Sequence, residues 1–142
     1  MHLVATNELP NAGTYNSNPL CLAAVVATLR ELSRDNGKVI RYISEMGAKL
    51  RIGLNRLFQK HGFPMKADGV DSVFVVTSPV VELRDYRDYL KLDFDFIYRF
   101  HDEMMSRRIL FLKRGNMMLS AAHTGEDIEQ TLEAAEQVIT SW

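Results

Sequence analysis

An asparagine–proline pair followed directly by an unbroken apolar run constrains this chain more than any other feature. Asn18 is suited to cap a helix, and Pro19 to open it, because the first helical N–H has no partner to lose. Leu20, Cys21, Leu22, Ala23, Ala24, Val25, Val26 and Ala27 follow without a polar residue. A helix apolar on all sides is packed on all sides, so this one is expected to be buried, with Cys21 as a small core residue. Just before it, Gly13, Thr14, Asn16 and Ser17 gather small residues, hydroxyls and amides into one turn. Such a turn can hold an anion, since backbone N–H groups and the positive end of the helix dipole converge there. A polar turn leading into a capped helix, with no ligand, satisfies the same spacing.

The rest of the chain alternates helices with short strands. Residues 1–12 offer one apolar patch, Leu3–Ala5, and then Pro10. After the first helix, Ser33–Gly37 has turn chemistry. Val39, Ile43, Met46, Leu50, Leu54, Leu57 and Phe58 then recur at helical spacing, predicting a long amphipathic helix from Lys38 to His61 stopped by Gly62. Pro64–Asp68 reads as an edge strand, Gly69–Ser72 as a turn and Val73–Thr77 as a β-branched strand. Residues 79–92 read as loop or short helix. Asp93 or Asp95 opens a helix that runs to Arg107, with Ile97, Phe100, His101, Met104 and Met105 inward. A hairpin is expected next, Ile109–Leu112 paired with Met117–Ser120 across the turn Arg114–Asn116. Thr124 then caps the last helix with Asp127 three residues on, and Leu132, Ala135, Val138 and Ile139 face inward. This order predicts an α+β two-layer sandwich, a small antiparallel sheet with helices on one face.

Several function classes are disfavoured. A formal charge of -1 with no basic stripe argues against electrostatic nucleic-acid binding. The lone Cys21 cannot form an internal disulfide. No apolar run reaches the length of a membrane span, and the first residues lack the pattern of a signal peptide, so a cytoplasmic, membrane-free protein is expected. His2, His61, His101 and His123 are scattered without metal-ligand spacing, and no metal site is expected. His101-Asp102-Glu103 points its side chains in different directions along a helix. No phosphate-loop, nucleophile-elbow or CxxC motif occurs.

Gly13-Thr14-Tyr15, then Asn18-Pro19-Leu20 entering an alanine-rich helix, resembles the class III aminotransferases of fold type I, in particular the glutamate-1-semialdehyde aminomutase group. Met117–Leu132 is similar to that family's closing strand and last helix. The resemblance covers essentially the whole chain, but only the C-terminal part of such an enzyme. It implies that residues 1–33 are a remnant of a large domain with an interdomain helix, and that 34–142 form the small C-terminal domain. It implies pyridoxal phosphate as cofactor, a homodimeric parent, and a large cofactor-binding domain as the missing partner. The Schiff-base lysine and the acidic partner of the pyridine nitrogen lie upstream in the family. Lys38, Lys49, Lys60, Lys66, Lys91 and Lys113 lack the motif context of a catalytic lysine. No catalytic residue is therefore expected here, and the chain alone should be inactive.

The resemblance implies that Thr14, with Gly13, binds the phosphate of the neighbouring subunit's cofactor. A hydroxyl beside free N–H groups offers charge-assisted bonds to a phosphate. Ser120 and His123 are candidates to approach the substrate from the small domain; as plain structure, they would end a strand and precede a cap. Two departures stand out: Ser17 stands where the family often has glycine and Arg108 where it usually does, and a left-handed Arg108 would cost on the order of 1 kcal/mol. Many relatives hold a substrate carboxylate with an arginine on the closing strand, which Met118-Leu119-Ser120 lacks, and Arg114 reads as a solvated turn residue. A stand-alone interaction module and one half of a split enzyme remain alternative readings. Under the fragment reading, a helix apolar all round predicts self-association or poor solubility of the isolated chain, and a clean monomer would count against that reading.

Overall fold

The computed structural model describes residue 6 and residues 13–79 and 82–142. The apolar patch Leu3–Ala5 and Pro10 lie outside the described residues. The chain forms two compact units divided between Lys38 and Val39.

In the first unit, helix α1 (Pro19–Ser33) begins as its sequence dictates. Asn18 is extended, and its side chain accepts from the N–H groups of Leu20 and Cys21 at 3.0 and 3.2 Å. A 3-10 turn, Arg34–Asn36, and a left-handed Gly37 follow. The expectation of a buried helix is not met within this chain: α1 has no buried residue, Leu20 is 79% exposed, and Cys21 is exposed rather than in a core. The wheel explains both results. Leu22, Val25, Val26, Leu29 and Leu32 share one face, with Ala23, Ala24 and Ala27 opposite. Both faces are apolar, and none of their residues is buried.

The second unit is built on helix α2 (Lys38–Lys60), whose inward face is Met46, Leu50, Leu54 and Phe58. Its end forms a complete Schellman cap: Gly62 is left-handed, its N–H donates to Gln59 O, and Phe63 N–H donates to Phe58 O. Strands β1 (Lys66–Val70) and β2 (Val73–Thr77) follow, then short helix α3 (Tyr86–Tyr89), α4 (Phe94–Ser106), β3 (Asn116–Met118) and α5 (Gly125–Ser141). The sheet is antiparallel with order β1-β2-β3. Ala67, Phe74, Val76 and Met117 point into one core with residues from α2, α4 and α5. Val73 and Met118, alternate in the register, are exposed. That alternation gives the expected two-layer α+β architecture.

Gly47 sits where α2 crosses the β1–β2 turn, and a Cβ there would fall inside the carbonyl of Asp71. Gly53 allows a similar close approach to Leu132 of α5. At the far end, Trp142 packs on Phe63 and Phe96, with the Arg99 guanidinium 4.2 Å from its ring centroid.

Two local expectations are corrected. β1 lies two residues later than Pro64–Asp68, because Met65 turns into the core before the ladder begins. The hairpin 109–112 with 117–120 does not form a ladder; β3 pairs with β2 instead. Only the turn end zips, with Leu112 N–H donating to Asn116 O and Gly115 N–H to Leu112 O. Phe111 anchors the other segment elsewhere, its carbonyl bonded to His101 Nε2.

Candidate functional site

The first candidate lies in the turn before α1. Asn16 N–H donates to Gly13 O and Asn18 N–H to Tyr15 O, which closes the turn, and Ser17 takes φ 63° to enter the cap. A Cβ at Gly13 would meet only the Asn16 carboxamide, the end of an exposed side chain. Gly13, Thr14, Tyr15 and Ser17 are all exposed. Among the described residues, the N–H groups of Thr14, Tyr15 and Ser17 and the Thr14 hydroxyl meet no acceptor.

The donor set differs from the expected one. Asn18 already satisfies the first free N–H groups of α1, Pro19 has none, and Leu22 N–H donates to Asn18 O. An anion here would be held by the turn's amides and the Thr14 hydroxyl, with the helix dipole behind them but its end capped.

The second candidate belongs to the other unit. Ser120 and His123, three residues apart, fold onto each other. Ser120 N–H donates to His123 Nδ1 at 3.0 Å, and the Ser120 hydroxyl lies 3.2 Å from the same nitrogen. Ala122 N–H donates to Ser120 Oγ, and His123 N–H to Ser120 O. An N–H donating to Nδ1 requires a lone pair there, so the ring carries its proton on Nε2 and presents it as a donor. Tyr42 of α2 pins this knot, its hydroxyl donating to His123 O at 2.7 Å. Tyr42 was not singled out from sequence, although it precedes Met46 and Leu50 by one and two helical steps of four.

His123 borders a cleft of about 320 Å³ whose walls include Leu50, Ile109, Leu112, Met117 and Ile128. Asp127 is on the rim, but its carboxylate accepts from the N–H and hydroxyl of Thr124 at 2.7 and 2.8 Å in the capping box. Those bonds hold its pKa below the ordinary carboxylate value. Arg114 is exposed in the turn.

The lysines sit at the surface. Lys60 holds Glu136, Lys66 holds Asp68, Lys91 holds Asp88, and Lys113 stands over the Tyr98 ring. Lys38 and Lys49 are exposed. His101 is buried and bridges Asp102 Oδ1 and Phe111 O, a structural strut. No group of metal-ligating side chains occurs among the described residues, and no helix there is long and apolar enough to cross a membrane.

No protein-family model matches the chain. It is 38% identical over 128 residues to a glutamate-1-semialdehyde 2,1-aminomutase of Thermus thermophilus, covering 87% of this chain and 29% of that protein. The solved omega-transaminase of Sphaerobacter thermophilus shares its fold with a TM-score of 0.80 at 24% identity, over 93% of this chain and 30% of that one. The FumI protein of Sphingopyxis sp. MTA144, solved in a pyridoxal phosphate form, is similar with a TM-score of 0.72 at 26% identity, over 96% and 30% of the two chains. The chain therefore spans about 30% of the length of the proteins it matches.

Proposed function

We propose, starting from the membership of this chain in the class III aminotransferases as the counterpart of the C-terminal part of a glutamate-1-semialdehyde aminomutase-like enzyme, that it supplies the small domain and a phosphate-holding turn to an enzyme that moves or transfers an amino group. Residues 1–33 are the remnant of the large domain and 34–142 the small domain. The parent is a homodimer that works in the cytoplasm.

The observation that carries this reading is the exposed turn. Thr14 offers a hydroxyl, and Thr14, Tyr15 and Ser17 offer N–H groups that meet no acceptor among the described residues. Gly13 keeps the backbone open to a ligand. These donors fit a phosphate dianion, the group through which pyridoxal phosphate is commonly gripped. When bound, that cofactor supplies the electron sink for chemistry at an amine-bearing carbon. In this reading Thr14 and Gly13 hold the phosphate of the neighbouring subunit's cofactor. His123, kept as the Nε2–H tautomer by Ser120, offers a donor to the substrate from the small domain. The reactive amine is assigned to polypeptide outside this chain, since the lysines here lie at the surface.

The test combines this chain with the Thermus thermophilus relative truncated of its matching region, and measures the pyridoxal phosphate retained after desalting. The chain alone should retain none and turn over no amino acid, and the pair should retain it. Thr14→Val, which removes a hydrogen bond to a charged group, should weaken retention about 10- to 100-fold. Equal retention by Thr14→Val, or turnover by the chain alone, would overturn the assignment.

A further inference from the structure

Helices cover one face of the sheet, and at the β1–β2 turn the other face is bare. Ala67, Phe74, Val76 and Met117 point into the core with residues of α2, α4 and α5. Residues directly opposite each other in an antiparallel ladder share a face. Val70 is the register partner of Val73, and Val73 of Met118, so these three form one row across the outer face. They are 75%, 54% and 56% exposed. The segment after α4 continues the row beyond β3. Leu112 N–H donates to Asn116 O, Phe111 turns into the core, and Leu110 and Leu112 are 77% and 55% exposed.

An antiparallel sheet with one face in water alternates apolar-in with polar-out. This end departs from that pattern, since all five outward residues are apolar. The next ladder row, Asp68, Val75 and Asn116, holds one charge, and Lys66 neutralises it. Side chains of this size at these exposures present on the order of 500 Å² of apolar surface, the size at which a contiguous patch marks an interaction site. Area then discriminates between occupants. A stable dimer takes about 800 Å² from each partner. Domains of one chain meet over about 600–1,500 Å² in total, half of it on each side. The row falls short of the first and matches the second.

About 70% of the length of each matched relative lies outside the region this chain spans. Given the reading of this chain as a small domain whose large domain is other polypeptide, we propose that Val70, Val73 and Met118, with Leu110 and Leu112, are the surface on which that large domain sits. It meets the row with an apolar, uncharged patch, because the row offers no charge to pair. Leu110, Leu112 and Met118 also line the cleft that His123 borders, so the seated domain forms the outer wall of that cleft.

Two methionines of the native chain report on it. Met118 lies in the row, and Met105, 42% exposed, lies on α4 in the helix layer. Hydrogen peroxide converts accessible methionine to the sulfoxide, and peptide mass spectrometry reads each rate. In the isolated chain both should react readily at every protein concentration. In a full-length chimera, with this chain in place of the matching region of the Thermus thermophilus aminomutase, Met118 should react about tenfold slower, as a thioether withdrawn from solvent does, and Met105 at its former rate. Val70→Lys with Val73→Lys, both at exposed positions, should undo that protection. Retention of pyridoxal phosphate after desalting is measured on the same samples. A chimera that retains the cofactor while Met118 reacts as fast as in the isolated chain overturns the proposal and leaves the small-domain reading standing. A folded chimera that retains none overturns both. Should the chimera fail to fold, this chain co-expressed with the truncated relative gives the same two readouts. Protection of Met118 that grows with the concentration of the isolated chain would assign the row to a second copy and overturn the proposal.

Discussion

Helices α2 and α4 end in the same motif with different residues at the critical position, and the pair makes a controlled experiment. After α4, Arg108 N–H donates to Met105 O at 2.9 Å and Ile109 N–H to Met104 O at 3.0 Å, with Arg108 at φ 66°. After α2, Gly62 takes the same role at φ 61°. A left-handed conformation costs a residue bearing a Cβ roughly 1–2 kcal/mol, and glycine little. Glycine also loses about 0.5–1 kcal/mol more backbone entropy on folding. The Arg108 side chain is exposed and has no ion pair among the described residues to forfeit. Arg108→Gly should therefore stabilise the protein by about 0.5–1 kcal/mol. Gly62→Ala should destabilise it by a similar amount, and only through φ, because nothing lies within 4 Å of a Cβ there. Urea unfolding reads both as opposite shifts of the midpoint at unchanged slope. If Arg108→Gly lowers the midpoint while Gly62→Ala also lowers it, the strain argument for Arg108 is wrong.

Other consequences follow from the same contacts. Asp68, Asp88, Asp102, Asp127 and Glu136 are held below their ordinary pKa values, in each case chiefly by hydrogen bonds: from Lys66, from Lys91, from His101, from Thr124 and from Lys60. A carboxyl depressed in the folded state stabilises above its unfolded pKa and loses that contribution as pH falls through the folded value. The urea midpoint should thus lose this contribution as pH falls below about 4; a midpoint that rises over that range would contradict it. Gly47→Ala should destabilise by about 1–3 kcal/mol, since its methyl would meet backbone rather than a movable side chain. Its thermal midpoint should fall by several degrees, and an unchanged midpoint would mean α2 can shift from the β1–β2 turn. The isolated chain should elute from gel filtration as an oligomer, and Leu22→Lys with Leu29→Lys should shift it toward the monomer. A wild-type monomer would show that α1 tolerates solvent.

Much of the fold was legible because it rests on periods and caps that act over a few residues. The 3.6-residue spacing from Val39 to Phe58 marks α2 to within one residue of its end. Thr124 with Asp127 marks the start of α5, and the β-branched run marks β2. Ser17 and Arg108, noted as replacements for glycine, both carry positive φ, as a position that favours glycine would require. Gly13, Thr14, Ser120 and His123 became candidates through the family resemblance; their type and spacing also fit a polar turn and a strand end before a cap. That Ser120 and His123 would bond each other was not legible, nor that Tyr42, distant in sequence, would hold their loop.

By itself, then, the chain's order of residues determined where helices start and stop, which face of α2 turns inward, and where the backbone must be left-handed. These are decided by sterics and hydrogen bonds among neighbours in sequence. Tertiary structure alone decided that β3 joins β2 rather than 109–112, since Phe74 and Met117 gain a shared core by pairing while Phe111 is drawn to His101. It also left every described residue of α1 unburied. An apolar face predicts burial only where another apolar surface exists to receive it, and no local pattern states whether it does.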